Sequence, residues 1–299
     1  MITFVQSTVM GLLQGFSELF PISSLGHSVL VPALLGWHRV VSSQSRSESF
    51  FLAFLVGLHV ATALALLVYF RSDWARIIGG FFRTLRTRRI EDADERMAWL
   101  LVVGTIPVGI TGLLLEHALR VLFAKPLAAA AFLAVNGAIL FAGERLRRRA
   151  EVRQLVAASA GAGDGGEPGR NLETLAFREA FVIGLFQTLA LLAGISRSGI
   201  TMVAGLLRGL NHEDAARFSF LLATPVILAA GLYKLPDLLG PLGNGIRPQV
   251  LVGAIAAGIT AYLSVRFLMR YFQTRTLTPF AVYCLLAGGL ALVYFGLIR

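Results

Sequence analysis

The chain has 299 residues, 56% of them apolar and only 15% charged, with a formal net charge of +10 and a mean hydropathy of +0.72. Soluble domains carry about 25% charged residues, so the composition excludes an ordinary soluble domain and predicts an all-α polytopic membrane protein. The positive balance is almost entirely arginine, with Lys125 and Lys234 the only lysines. These charges cluster beside apolar runs, which reads as orientation in a membrane rather than nucleic-acid binding.

At the N-terminus no basic segment or small-residue cleavage site precedes the first apolar stretch, so that stretch is expected to stay in the mature protein. Between residues 3 and 36 the apolar run is broken by Glu18, Pro21, Ser23, Ser24 and His27. The pieces on either side are too short to span a bilayer. They predict a re-entrant helical hairpin, a backbone that membranes tolerate only inside protein or around a water-filled cavity. Three spans are predicted next, over 51–70, 97–115 and 126–143. Between the first two lies a loop over 71–96 holding Arg71, Arg76, Arg83, Arg86, Arg88, Arg89 and Arg96. A Gly-, Ala- and acid-rich stretch over 151–170 reads as a flexible linker. A second hairpin follows over 178–210, broken by Gly194, Ser196, Arg197 and Ser198, and then three more spans over 217–235, 249–268 and 279–298. Cys284 lies in an apolar run and reads as a packing thiol. His38, His117 and His212 read as loop or helix-end residues, and Arg208, Glu213 and Asp214 as boundary charges.

The two hairpins are copies. Gly11, Leu12, Gln14, Ile22, Ser23 and Gly26 align at constant offset with Gly184, Leu185, Gln187, Ile195, Ser196 and Gly199. Further along, Gly104, Gly109 and Thr111 align with Gly253, Gly258 and Thr260, and Pro126 and Pro279 each open the last span of a half. The chain therefore divides into a first repeat, 1–150, and a second, 171–299, joined by the linker. A hairpin plus three spans changes sides, so the repeats have inverted topology, an arrangement that sets paired broken helices near the midplane. The arginines of 71–96, with Arg145, Arg147, Arg148, Arg149 and Arg153, mark one side as cytoplasmic. The first hairpin then dips in from outside and the second from inside. Both termini, with Arg39, Arg46 and Arg299, are external.

Ionisable groups at membrane depth mark a functional site by default, and Glu18 is the only acidic side chain well inside a predicted membrane segment. Gln14 and Glu18 share a helix face at i, i+4, and Pro21 ends that helix. Ser23 and Ser24 then sit at the start of the next short helix, where free N–H groups suit an anion, with His27 one turn on. The other hairpin offers Ser196, Arg197, Ser198 and Thr201. Face to face, these groups predict phosphoryl transfer. Arg197 matches phosphate oxygens, Glu18 suits a divalent cation, and His27 suits a base or nucleophile, with Ser24 a second candidate nucleophile that has His27 as its base. His59, inside the 51–70 span, is a candidate lining residue. Attack by His27, by Ser24 or by water stays open.

The run Gln14-Gly15-Phe16-Ser17-Glu18-Leu19-Phe20-Pro21-Ile22-Ser23-Ser24-Leu25-Gly26-His27 and the run Ala193-Gly194-Ile195-Ser196-Arg197-Ser198-Gly199-Ile200-Thr201 resemble the two motifs of the BacA-type family of undecaprenyl-pyrophosphate phosphatases, associated with bacitracin resistance. The resemblance covers nearly the whole chain. It implies six spans plus two re-entrant hairpins in the bacterial cytoplasmic membrane. It implies hydrolysis of a C55 polyprenyl diphosphate to the monophosphate and inorganic phosphate, recycling the lipid carrier of cell-wall synthesis, with Mg²⁺ or Ca²⁺. It assigns metal or catalytic roles to Glu18 and Gln14. Catalytic or phosphate-binding roles go to His27, Ser23, Ser24, Ser196, Arg197, Ser198 and Thr201. Gln14 stands at an acidic position and cannot carry charge, Leu25 replaces a small hydroxyl residue, and Ala193 replaces proline. The expected partners are the lipid substrate and membrane lipids, with no nucleic acid and a homodimer left open. The site is expected to open to the external face. The rival reading is a lipid flippase or transporter without hydrolysis, because inverted repeats with broken helices are also a transporter architecture.

Overall fold

The computed structural model describes residues 2–37, 40–41, 50–123, 125–159 and 170–298. His38, Arg39, Arg46, Arg299, residues 160–169 of the expected linker and the side chain of His117 lie outside the described residues. The described chain folds into α1 (Phe4–Ser17), α2 (Ser24–Leu34), α3 (Phe50–Tyr69), α4 (Arg71–Thr87), α5 (Ala93–Phe123) and α6 (Pro126–Ser159). The second half adds α7 (Phe177–Gln187), α8 (Arg197–Leu207), α9 (His212–Leu239), α10 (Arg247–Tyr271) and α11 (Thr278–Val293). Among the described residues there is no strand, only an isolated bridge between Arg170 and Leu210.

Six of these helices contain apolar stretches long enough to cross a membrane: Phe51–Tyr69, Ala93–Leu115, Pro126–Arg153, His212–Pro236, Arg247–Tyr271 and Thr278–Leu297. They coincide with the six predicted spans. The four hairpin helices are shorter, 14 and 11 residues in the first pair and 11 each in the second. Local chemistry fixes their ends. Thr3 and Gln6 form a reciprocal capping box on α1, which satisfies two otherwise orphaned N–H groups. Ser23 caps α2 and Ser196 caps α8, accepting from Gly26 N at 3.2 Å and Gly199 N at 3.1 Å. The aligned serines of the two copies thus do the same work.

Two expectations change. The 71–96 segment is not a loop: Arg71–Thr87 is the helix α4, with Ile78, Phe82 and Leu85 exposed. Its arginines are partly neutralised, Arg76 by Asp73 and Asp94, and Arg83 by Asp92 and Glu95. The alternation of arginine with apolar pairs makes an amphipathic helix that a search for long apolar runs passes over. Likewise α6 continues as helix to Ser159, through the arginines that follow the span and into the segment expected to be linker.

The helices meet through small residues, as membrane helices do where backbones approach closely. α1 lies against α10, α7 against α5, α6 against α11, and α3 between α9 and α10. A Cβ on Gly11 would strike the carbonyl oxygen of Gly253, and one on Gly184 would strike the carbonyl oxygen of Gly104. These four glycines are the two pairs aligned in the sequence, so α1 packs onto α10 and α7 onto α5 through equivalent positions.

Candidate active site

The two hairpin turns meet. Glu18, at the end of α1, points at Arg197, the first residue of α8. Oε1 of Glu18 accepts from Nε and from Nη2 of Arg197, both at 3.2 Å. Oε2 accepts from Ser24 Oγ at 2.5 Å and from Gln14 Nε2 at 3.1 Å. The Glu18 and Arg197 side chains are 6% and 12% exposed, so each charge is removed from solvent and satisfied by the other. Nη1 of Arg197 donates to the Ser219 carbonyl at 3.2 Å, which fixes the plane of the guanidinium. His59 Nε2 lies 3.5 Å from Glu18 Oε2, and its Nδ1 is anchored on the Leu55 carbonyl at 2.8 Å.

The turns are sewn together by backbone as well. Ser23 has φ +70°, a left-handed conformation that is strained for a residue with a Cβ. Its hydroxyl accepts both from Gly26 N in its own helix and from Gly194 N of the other turn, the latter at 3.1 Å. Gly194, at φ +116°, is backed against α6 so closely that a Cβ would lie 2.6 Å from that of Phe132. Asn136 of α6, fully buried, spans both turns. Its Nδ2 donates to the Pro21 carbonyl at 3.0 Å and its Oδ1 accepts from Ser196 N at 2.9 Å. Asn136 was not singled out from the sequence; the signal was a lone amide inside the apolar run 126–143. Cys284 is buried beside it, its Sγ 3.3 Å from Asn136 Nδ2, in keeping with a packing thiol.

The two turns border a chamber of ≈ 310 Å³. Among the predicted site residues, Glu18, Ser23, Ser24, His59, Ser196 and Arg197 line it, together with apolar side chains including Leu52, Leu55, Val56 and Ile227. Gln14, His27, Ser198 and Thr201 do not. Gln14 stands behind Glu18. Ser198 Oγ donates to the Phe20 carbonyl at 3.2 Å, and Thr201 Oγ1 to the Arg197 carbonyl at 2.7 Å, so both hydroxyls brace the turns instead of facing a ligand. His27 departs furthest from its expected role. Its Nδ1 donates to the Ser23 carbonyl at 2.7 Å, which leaves Nε2 to accept from the Tyr283 hydroxyl at 2.8 Å. Both ring nitrogens are thus engaged away from Glu18 and Arg197, and the partner of Ser24 is Glu18, not His27. A further buried carboxylate was also missed. Glu144, one residue beyond the predicted third span, accepts from His212 Nε2 at 2.9 Å and ties α6 to the start of α9. His212 is a helix-end residue as expected, but a buried one.

The chain is 61% identical to "Undecaprenyl-diphosphatase 2" of Frankia alni, over 99% of this chain and 99% of the relative. It is 60% identical to "Undecaprenyl-diphosphatase" of Mycolicibacterium paratuberculosis, over 99% and 98%. It is 44% identical to "Undecaprenyl-diphosphatase 2" of Chromobacterium violaceum, over 97% and 98%. The family described as "Bacitracin resistance protein BacA" matches residues 7–290, and the chain therefore belongs to the BacA family of multi-pass membrane proteins.

Proposed function

We propose that this protein hydrolyses undecaprenyl diphosphate to undecaprenyl phosphate and inorganic phosphate in the bacterial cytoplasmic membrane, returning the lipid carrier to cell-wall synthesis. The observation that carries the reading is the buried contact of Glu18 with Arg197 and Ser24, which joins two distant hairpins in one polar chamber.

Ser24 Oγ, hydrogen-bonded to a carboxylate, is an activated nucleophile of the kind that acyl- and phosphoryl-transfer sites use. Its attack on the terminal phosphorus passes the hydroxyl proton to Glu18. The bond from that phosphorus to the bridging oxygen breaks, and the lipid monophosphate leaves. Protonation of Glu18 weakens its hold on Arg197, which turns its fork to the phosphoryl oxygens, where charge stabilisation carries most of the catalysis. Glu18 gives its proton to the departing monophosphate and, a carboxylate again, takes a proton from the water that cleaves the phosphoserine, freeing inorganic phosphate and restoring the Ser24 hydroxyl. His27 is a positioning residue here, holding the Ser23 carbonyl and with it the first turn of α2. The apolar wall beside the chamber takes the first isoprene units of the tail.

A divalent cation, Mg²⁺ or Ca²⁺, fits only sparingly. The described residues contain no cluster of three or more His, Cys, Asp or Glu side chains suited to a metal. Glu18, on giving up one of its hydrogen bonds, and the amide oxygen of Gln14 would be the protein donors, with water and substrate oxygens completing the shell, a common way of holding Mg²⁺. Such an ion would supply positive charge to the phosphate oxygens. The reciprocal glycine contacts support an inverted-topology repeat of residues 1–150 and 171–299 built around two re-entrant hairpins. The chamber is lined by the first half of α3 and the second half of α9, at the end remote from α4. With the arginine-rich α4 on the cytoplasmic side, it opens externally.

Phosphate release from undecaprenyl diphosphate in detergent tests the reading. Glu18→Gln and Arg197→Ala are each expected to lower turnover by about 100-fold or more, and chelation by EDTA to lower it reversibly. Near-wild-type turnover in both variants would overturn the assignment.

A further inference from the structure

The hairpin duplication leaves one buried group without a partner. In the first copy Gln14 donates to Glu18, four residues on, at 3.1 Å. The aligned positions of the second copy hold Gln187 and Leu191, and a leucine side chain makes no hydrogen bond. Gln187 ends α7, is fully buried and lines the chamber together with Glu18, Ser24, Ser196 and Arg197. Resting on the phosphatase reading, we infer that Gln187 is a catalytic residue whose amide oxygen holds and aims the hydrolytic water.

The amide has one workable orientation. A Cβ on Gly184 would strike the Gly104 carbonyl oxygen, and the same close approach of α7 to α5 brings that oxygen within reach of Gln187. Nε2 of Gln187 faces it at 3.5 Å. The reversed amide would set two acceptors against each other, so the hydrogen-bond network assigns the nitrogen to α5. Oε1 is the other end of the group. Among the described residues it has no hydrogen-bond partner, and it is the one such buried side-chain atom that belongs to a residue of the chamber wall. Buried acceptors are as a rule paired, so its hydrogen comes from what the chamber takes in.

Hydrogen-bond roles select the ligand. The ionised diphosphate presents oxygens that accept, and the polyprenyl tail is hydrocarbon, so neither donates to an amide oxygen. Water is the other reactant and has two hydrogens to give. One goes to Glu18, the base of the second step, and the other to Gln187 Oε1. With both engaged, a lone pair of the water oxygen is aimed at the phosphorus, which is the gain that fixed orientation brings. As the new bond from oxygen to phosphorus forms, the bond from phosphorus to Ser24 Oγ breaks. Its electron pair stays on Oγ, which receives the proton that Glu18 took from the water. An amide that orients the attacking water is a recurring part of phosphoryl-transfer sites.

The test separates the two chemical steps in the full-length enzyme in detergent, with undecaprenyl diphosphate radiolabelled at its terminal phosphorus. Gln187→Leu keeps the bulk of the side chain and removes the acceptor. It is expected to slow decay of the phosphoserine at least tenfold, about the scale of one hydrogen bond. First-turnover formation of undecaprenyl phosphate is expected to slow by less than threefold, so that label accumulates on the protein. Exchange of isotopically labelled oxygen between inorganic phosphate and water runs through the second step alone and needs no lipid. It is expected to fall by the same factor as phosphoserine decay. A role confined to packing would slow both steps alike. Equal slowing of the two steps, or unchanged phosphoserine decay and oxygen exchange, would overturn the inference. Recovery of Gln187→Leu at raised Mg²⁺ would also overturn it, by assigning Oε1 to the cation. Failure of the phosphatase reading itself shows separately, as absence of phosphate release by wild type.

Discussion

Glu18 gathers four donor hydrogens from three residues: one from Gln14, one from Ser24 and two from Arg197. A carboxylate has about four lone-pair positions, so the group is saturated, and removing either partner of the ion pair strands the other. Breaking such a pair costs about 3–5 kcal/mol, whereas replacing both partners by apolar groups is often neutral. Thermal denaturation in detergent is therefore expected to show Glu18→Leu well below wild type and the double variant Glu18→Leu/Arg197→Leu closer to it, although both are inactive. Ser24→Ala removes one hydrogen bond beside the pair. It is expected to abolish phosphoenzyme formation while lowering stability by only about 1 kcal/mol. At this scale the sequence told which residue types converge but not which way each one faces. Ser24 and His27 are three apart on a helix buried nearly all round, so a modest rotation about its axis puts one on the chamber wall and the other against Tyr283. Motif spacing carries no information about that rotation.

The elements that position these residues divide by what hydropathy can report. The six spanning helices were legible because lipid demands long apolar runs, and the two hairpin turns because proline, glycine and serine interrupt such runs. α4 was not, since arginines interleaved with apolar pairs lower its mean hydropathy while leaving one face apolar. Nor was the role of Asn136, which depends on α6 passing behind both turns. Asn136→Leu leaves the Pro21 carbonyl and the Ser196 N–H without their partner, at about 1–3 kcal/mol for each buried group. This variant is expected to fall in thermal stability and to lose turnover at least tenfold, although Asn136 does not line the chamber. Retention of full activity would mean that the turns hold their spacing without it.

Across the whole molecule, the packing of α1 on α10 and of α7 on α5 through glycine is the organising contact. Gly11→Leu and Gly184→Leu, each forced against a backbone carbonyl of the opposite half, are expected to impair folding alike, seen as loss of the monodisperse species on size exclusion. Topology is open to labelling in a Cys284→Ala background. Arg86→Cys on α4 is expected to react with a membrane-impermeant maleimide only after the cells are opened, and Asn244→Cys, beyond α9, in intact cells. The opposite pattern would invert the orientation and place the chamber mouth inside.

The hydroxyl of Ser23 has one further consequence, for how the protein is made. One of its two backbone partners, Gly194, lies 171 positions later in the chain. The ribosome delivers the first turn long before it delivers the group that closes it. Through most of synthesis Glu18 lacks Arg197, and the first turn must wait for the second turn and α10 to arrive. Truncated chains ending before Arg197 should be natural prey for membrane proteases.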